Sequence, residues 1–206
     1  KCAGSSIETA FGVDVENNQE SRELLFGWDQ KLKIHLQHAT PQQLLDLKLI
    51  SHHQWDSYFK FVIIRNTWDK VMSDYFWFKR TKNFKGSFED YLFKKNSFKR
   101  FLNNKDKTYR GDHHNPQIDY MFVDGKIINY DKILTFDKIN LNNDLRELSK
   151  KIGFNKDFLN KKVQVGSNSH KHYSKFYDYK RRRQVYLRFK QDIEYFKFSF
   201  HDKKNV

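Results

Sequence analysis

The spacing of apolar positions changes several times along the chain, and each change marks an element. In residues 4–12, Ile7, Ala10 and Phe11 recur at helical spacing behind a run of small residues. Thr40 followed by Pro41 predicts an N-cap with proline at the first helical position, opening PQQLLDLKLI. YFKFVIIRN reads as a buried strand over 59–64, because Phe59, Phe61, Val62, Ile63 and Ile64 are nearly continuous, as where both sheet faces are covered. After Arg65 and Asn66 the segment TWDKVMSDYFWFKR returns to helical spacing. Ser87, with Asp90 three residues on, predicts a capping-box start for FEDYLFKK. IDYMFV and KIINYDKIL are β-like runs joined through Asp124 and Gly125, a hairpin signal. LNNDLRELSKKI is a helix stopped by Gly153, and the stretch from Tyr173 to Phe196 is mostly helical and densely basic. A helix behind a small-residue loop, followed by strand and helix, predicts an α/β core with a hairpin and extra helices added.

Composition narrows this picture without changing it. The chain of 206 residues fits one domain, 1–206, and its 20 Phe, 11 Tyr and 4 Trp can furnish a sizeable core. Two Pro and no low-complexity tract leave no linker and no repeat. The formal charge of +14 is what a chain that meets a polyanion carries, although an AT-rich genome would raise the lysine count as well. A single cysteine excludes an internal disulfide framework and a cysteine-rich zinc site. No run of 18 apolar residues exists, so this stretch predicts no transmembrane helix. The first residue is Lys1, with no initiator Met and no signal peptide. The expectation is that the sequence starts inside a longer protein, with an upstream anchor left open.

Two short stretches carry candidate anion chemistry. In KCAGSSIETAF, Lys1, Cys2, Ala3, Gly4, Ser5 and Ser6 form a small-residue loop running into a helix, where unpaired N–H groups and the helix dipole favour negative charge. In FVIIRNTWDKVMSDYF, Arg65 stands at the end of the expected strand and Ser73 lies eight residues later, two turns along the helix. An arginine at a strand tip and a serine on the facing helix can grip one phosphate together. The plain structural readings are a loop with an N-cap for the first stretch, and an Arg65–Asp69 pair with a self-bonded helix serine for the second.

Together the two stretches resemble the cofactor motifs of the sulfotransferase superfamily, closest to its carbohydrate sulfotransferase (family 2) branch. The family's Pro-Lys-Thr-Ala-Gly-Thr-Ser loop is similar to Lys1–Ser6, and its Arg-Asn-Pro-[Tyr/Trp]-Asp-Arg motif with a following Ser is similar to Arg65, Asn66, Thr67, Trp68, Asp69, Lys70 and Ser73. HATPQQLL at 38–45, QIDYMFVDGKIINYDKILTFDKI at 117–139, NSHKHYSKFYD at 168–178 and DIEYFKFSF at 192–200 resemble further family segments in the same order. Thr67 replaces the family's proline, and Cys2 replaces a threonine. The resemblance implies a P-loop-like sulfotransferase fold, a short parallel sheet flanked by helices, whose first strand is missing from this sequence.

The resemblance further implies the co-substrate 3′-phosphoadenosine 5′-phosphosulfate (PAPS), with no metal. Residues 1–6 would wrap the phosphosulfate, and Lys1 would neutralise charge on the bridging oxygen as the S–O bond breaks. Arg65 and Ser73 would hold the 3′-phosphate. A loop over 166–173 would close on the nucleotide, with Ser169, Lys171 and Tyr173 in contact. The acceptor would be a hydroxyl, of a glycan, with no nucleic-acid partner. The location would be cytoplasmic for a bacterial or viral chain, or the Golgi lumen if an anchor precedes Lys1. For the base, His38 lies just before the Thr40–Pro41 helix start, where the dipole disfavours imidazolium. His35 is the alternative, and the pairs His52/His53 and His113/His114 are expected mostly at the surface. Two rival readings are a kinase-like nucleotide-binding domain and a nucleic-acid binder. The first lacks Gly-x-x-x-x-Gly-Lys-[Ser/Thr]. The second would use KRRRQVYLRFK, which also reads as a solvated helix face over an aromatic core.

Overall fold

Three of the helices begin at reciprocal caps. Thr40, Ser51 and Ser87 each accept a hydrogen bond from the N–H three residues on, and the side-chain oxygens of Gln43, Gln54 and Asp90 accept in turn from the cap residue's own N–H. A computed structural model describes residues 2–15, 17, 20–81, 84–136, 141–153 and 172–201. Their helices, in chain order, are α1 (Gly4–Ala10), α2 (Pro41–Asp46), α3 (His52–Ser57), α4 (Thr67–Thr81), α5 (Phe88–Leu92), α6 (Asn96–Leu102), α7 (Leu141–Ile152), α8 (Tyr179–Arg188) and α9 (Lys190–Tyr195). The strands are β1 (Trp28–Asp29), β2 (Ile34–His35), β3 (Phe61–Ile64), β4 (Phe122–Val123), β5 (Lys126–Ile127) and β6 (Lys132–Thr135).

The chain is therefore mixed α/β, with a short parallel sheet flanked by helices. β3 and β6 pair in parallel, from Phe61 opposite Lys132 to Ile64 opposite Thr135. The expected strand at 59–64 is present over four residues, but it is half-buried throughout and not buried on both faces. The reason is geometric. Among the described residues this sheet has two strands, and one apolar cluster, with Ala10, Leu134, Leu141, Leu145 and Leu148 at its centre, packs against Phe61 and Ile63. Asp124 and Gly125 both take positive φ, 50° and 71°, and close the predicted hairpin between β4 and β5. KIINYDKIL is not one strand: Lys126 and Ile127 finish the hairpin, while Lys132–Thr135 leaves to join β3. Residues Gln117–Tyr120 form a 3-10 turn in place of the expected strand start.

A second, aromatic core lies under α4, α5, α6, α8 and α9. Tyr75, Phe78, Tyr91 and Phe98 sit at its centre, with Val185 and Phe189 contributed by the basic C-terminal stretch. The arginines and lysines of α8 thus ride over an aromatic interior, as a solvated helix face does. α4 spans the distance between sheet and aromatic core. Its first turn meets the tip of β3 through Asp69 and Arg65, and its middle supplies Tyr75 and Phe78. No helix among the described residues is long and apolar enough to cross a membrane.

Candidate functional site

The tip of β3 is held by Gln117. The Arg65 N–H donates to Gln117 Oε1 and the Gln117 side-chain amide donates back to the Arg65 carbonyl, both at 2.8 Å. Side chains then fan out from this point. Arg65 Nε donates to Asp69 Oδ2 at 2.8 Å, Nη1 donates to Ser73 Oγ at 3.3 Å, and the guanidinium lies 4.3 Å from the centre of the Phe136 ring. The Arg65–Asp69 pair of the plain structural reading is present, while Ser73 accepts from Arg65. Arg65 and Ser73 stand side by side, and Asp69 shares the guanidinium.

The small-residue loop comes to the same place. The thiol of Cys2 points at Gln117 Oε1 at 3.8 Å. Ala3 turns the chain with φ 64°, a left-handed conformation uncommon for a residue with a Cβ, and its carbonyl accepts from the N–H groups of Ser6 and Ile7 to start α1. Gly4 and Ser5 thereby supply first-turn N–H groups without an intrahelical partner. Lys1, Ser169 and Lys171 lie outside the described residues. Tyr173 is buried in the aromatic core, and its hydroxyl donates to the Phe200 carbonyl at 2.8 Å.

Three residues beyond Gln117 on the same turn, the Tyr120 hydroxyl donates to the carbonyl of His38 at 2.8 Å. His38 ends a 3-10 turn, Leu36–His38, just ahead of the Thr40 cap, as its sequence context predicts. Its Nδ1 donates to Asp112 Oδ2 at 2.7 Å, which leaves Nε2 with the lone pair, and about a third of the side chain remains accessible. Burial raises the Asp112 pKa, but the His38 bond and the neighbouring imidazoles outweigh it and hold the carboxyl below its ordinary value.

The histidine pair at 113 and 114 is not at the surface, contrary to the sequence expectation. The His113 side chain is only 9% exposed, its ring centroid is 5.0 Å from that of His38, and its Nδ1 bonds Asp74 Oδ1 at 2.7 Å. Asp74 in turn accepts from the Tyr91 hydroxyl at 2.8 Å. Burial lowers the His113 pKa, against the pull of Asp74. His114 packs against Tyr91 with neither ring nitrogen hydrogen-bonded, and burial drives its pKa down to about 3. His35, the alternative base, is also a packing residue. It is buried beside Trp28, and burial and the Arg110 charge bring its pKa to about 4. His52 and His53 are exposed on α3, as expected.

Asp112, His113 and Asp74 carry no motif that marks them in the sequence, and Gln117 opens the family-like segment 117–139 with no role assigned to it. Each is brought to the site by contacts spanning 39 or more residues. An open cavity of about 870 Å³ adjoins the His38 side, lined among others by Thr40, Gln43, Asn115, Asp119, Phe122 and Tyr195. Its wall of amides, carboxylates and aromatic rings suits a hydroxyl-rich ligand. Comparison with protein-family models, curated proteins and solved structures finds no match to this chain.

Proposed function

We propose that the protein is a sulfotransferase that moves the sulfuryl group of PAPS to a hydroxyl of a carbohydrate. One observation carries this reading: a single four-residue turn, Gln117–Tyr120, contacts Cys2, Arg65 and His38, the three positions to which the resemblance would assign phosphosulfate, 3′-phosphate and base. The motifs alone are loose, and their convergence is what a two-ended nucleotide and an acceptor beside it require.

In the proposed reaction the acceptor O–H gives its proton to His38 Nε2 as its oxygen bonds to sulfur. The bond from sulfur to the bridging oxygen breaks, and its electron pair stays on the 5′-phosphate of the departing 3′-phosphoadenosine 5′-phosphate. Asp112, bonded to Nδ1, holds the ring in the tautomer that can accept and stabilises the imidazolium that forms. The backbone of residues 2–6, with the Ser5 and Ser6 hydroxyls and Lys1, would hold the phosphosulfate. Arg65 and Ser73 would take the 3′-phosphate, and the polar cavity beside Thr40 would take the sugar. The direct test is transfer of labelled sulfate from PAPS to a panel of oligosaccharides, alongside thermal shift with 3′-phosphoadenosine 5′-phosphate and with AMP. Stabilisation by both nucleotides alike, with no transfer to any acceptor, would overturn the assignment.

A further inference from the structure

The base and its surroundings contain more metal-ligating groups than proton transfer needs. His38, Asp112 and His113 each offer a ligand atom, and the three atoms lie within 4.8 Å of one another. We propose that these three side chains form a site for a divalent transition metal of the Zn²⁺ class, and that metal bound there withdraws His38 from proton transfer.

Two further observations point to a cation. Asp112 Oδ1 is buried and has no hydrogen-bond partner, on a side chain only 9% exposed. A carboxylate oxygen left so is costly, and a cation is the partner it lacks. Behind His113, Asp74 accepts a hydrogen bond from Nδ1–H, and the Tyr91 hydroxyl donates to Asp74 and orients it. That chain of carboxylate and imidazole fixes the tautomer that leaves Nε2 for a metal, the usual support of a metal-bound histidine. Two imidazoles with one carboxylate suit Zn²⁺ and its neighbours better than Mg²⁺ or Ca²⁺, which prefer all-oxygen shells. Three protein ligands would leave a fourth position for water or an acceptor oxygen. On binding, the His38 proton moves by way of solvent from Nδ1 to Nε2, so the neutral ring gives Nδ1 to the metal beside the Asp112 carboxylate and Nε2 no longer has a lone pair for an acceptor proton. The effect on turnover rests on His38 being the base, whereas the binding itself does not.

The experiment is calorimetric titration of Zn²⁺ into untagged protein, with Co²⁺ absorption as a coordination readout and no nucleotide or acceptor present. One equivalent should bind. Because Trp77 lies 5.1 Å from His113 between ring centroids, Ni²⁺ should also quench tryptophan emission. His38→Ala, at a partly exposed position, and Asp112→Asn should each weaken binding at least ~10-fold, while a His52→Ala/His53→Ala double variant leaves it unchanged. Wild-type affinity in His38→Ala and Asp112→Asn, or a loss confined to the double variant, would overturn the site. With sulfuryl transfer in hand, Zn²⁺ should suppress turnover and a chelator restore it. Full turnover with the metal bound would overturn the withdrawal of His38, and absence of transfer altogether would count against the proposed function alone.

Discussion

Gln117 and Arg65 complete each other's hydrogen bonding, the side-chain amide of one matched to the backbone N–H and carbonyl of the other at 2.8 Å. Replacing Gln117 with Ala strands both backbone groups at the strand tip and frees the Cys2 contact. A stability loss of about 1–3 kcal/mol is expected in denaturant titration. Nucleotide affinity should fall with it, because the loop and the strand tip lose their common tie. Unchanged affinity in a destabilised variant would confine Gln117 to folding.

Arg65→Ala should weaken binding of 3′-phosphoadenosine 5′-phosphate by about 10- to 100-fold, the worth of a charge-assisted phosphate contact. AMP, lacking the 3′-phosphate, should bind the variant and the wild type alike. Parallel calorimetric titrations check this, and equal losses for both nucleotides would make Arg65 a structural partner of Asp69.

His38→Ala should lower sulfuryl-transfer turnover by about 10²- to 10⁴-fold while donor affinity holds, since the base meets the acceptor and not the nucleotide. Added imidazole should recover part of the rate by diffusing into the space left behind. A variant with normal turnover removes His38 from the reaction.

Acid should destabilise the fold through His114. Its folded pKa of about 3 lies below the unfolded value of 6.5, so the unfolded chain binds the extra proton first. The stability that neutral His114 contributes is complete above pH 6.5 and is lost progressively as pH falls toward 3. At pH 4.5 the loss from this residue is about 2–3 kcal/mol. His114→Phe keeps a ring against Tyr91 and removes the titration, so its unfolding midpoint should change less between about pH 7 and pH 4.5 than that of the wild type. Identical slopes for the two proteins would refute this.

Gly111 sits immediately before Asp112, where a Cβ would run into the Leu102 carbonyl and the Tyr109 ring. Gly111→Ala should therefore cost about 1–3 kcal/mol by the usual scale of overpacking, and it should displace Asp112 from His38. Thermal unfolding together with the turnover assay reads both effects.

The local parts of this architecture are legible in the sequence because they depend on nearest neighbours. The Thr40 and Ser87 caps, the Asp124–Gly125 turn, the long helix after Asn66 and the stop at Gly153 all use interactions within four residues. Arg65 and Ser73 are found the same way, since a helix joins them. Depth is harder to read. An unbroken apolar run suggests a strand covered on both faces, but β3 has a single strand neighbour among the described residues and stays half-buried. The histidine pairs fail for a related reason. His52 and His53 sit on an exposed helix while His113 is half-buried against α4 and His114 is buried against Tyr91, and nothing within a few residues separates the two cases. Asp74 is one residue from Ser73 on α4, yet its link to His113 is a tertiary contact that no spacing encodes.

The Gln117–Tyr120 turn has its own anchor: the buried carboxylate of Asp192 on α9 accepts from the N–H groups of Gln117 and Ile118, both at 2.9 Å. During synthesis the ribosome makes Cys2, His38, Arg65 and Gln117 long before Asp192. Helices with local contacts can form as they emerge, whereas this turn lacks its carboxylate until α9 has left the exit tunnel. Until then a nascent chain holds Cys2, Arg65 and His38 without their clasp, so their juxtaposition is acquired in one late step of translation instead of growing with chain length.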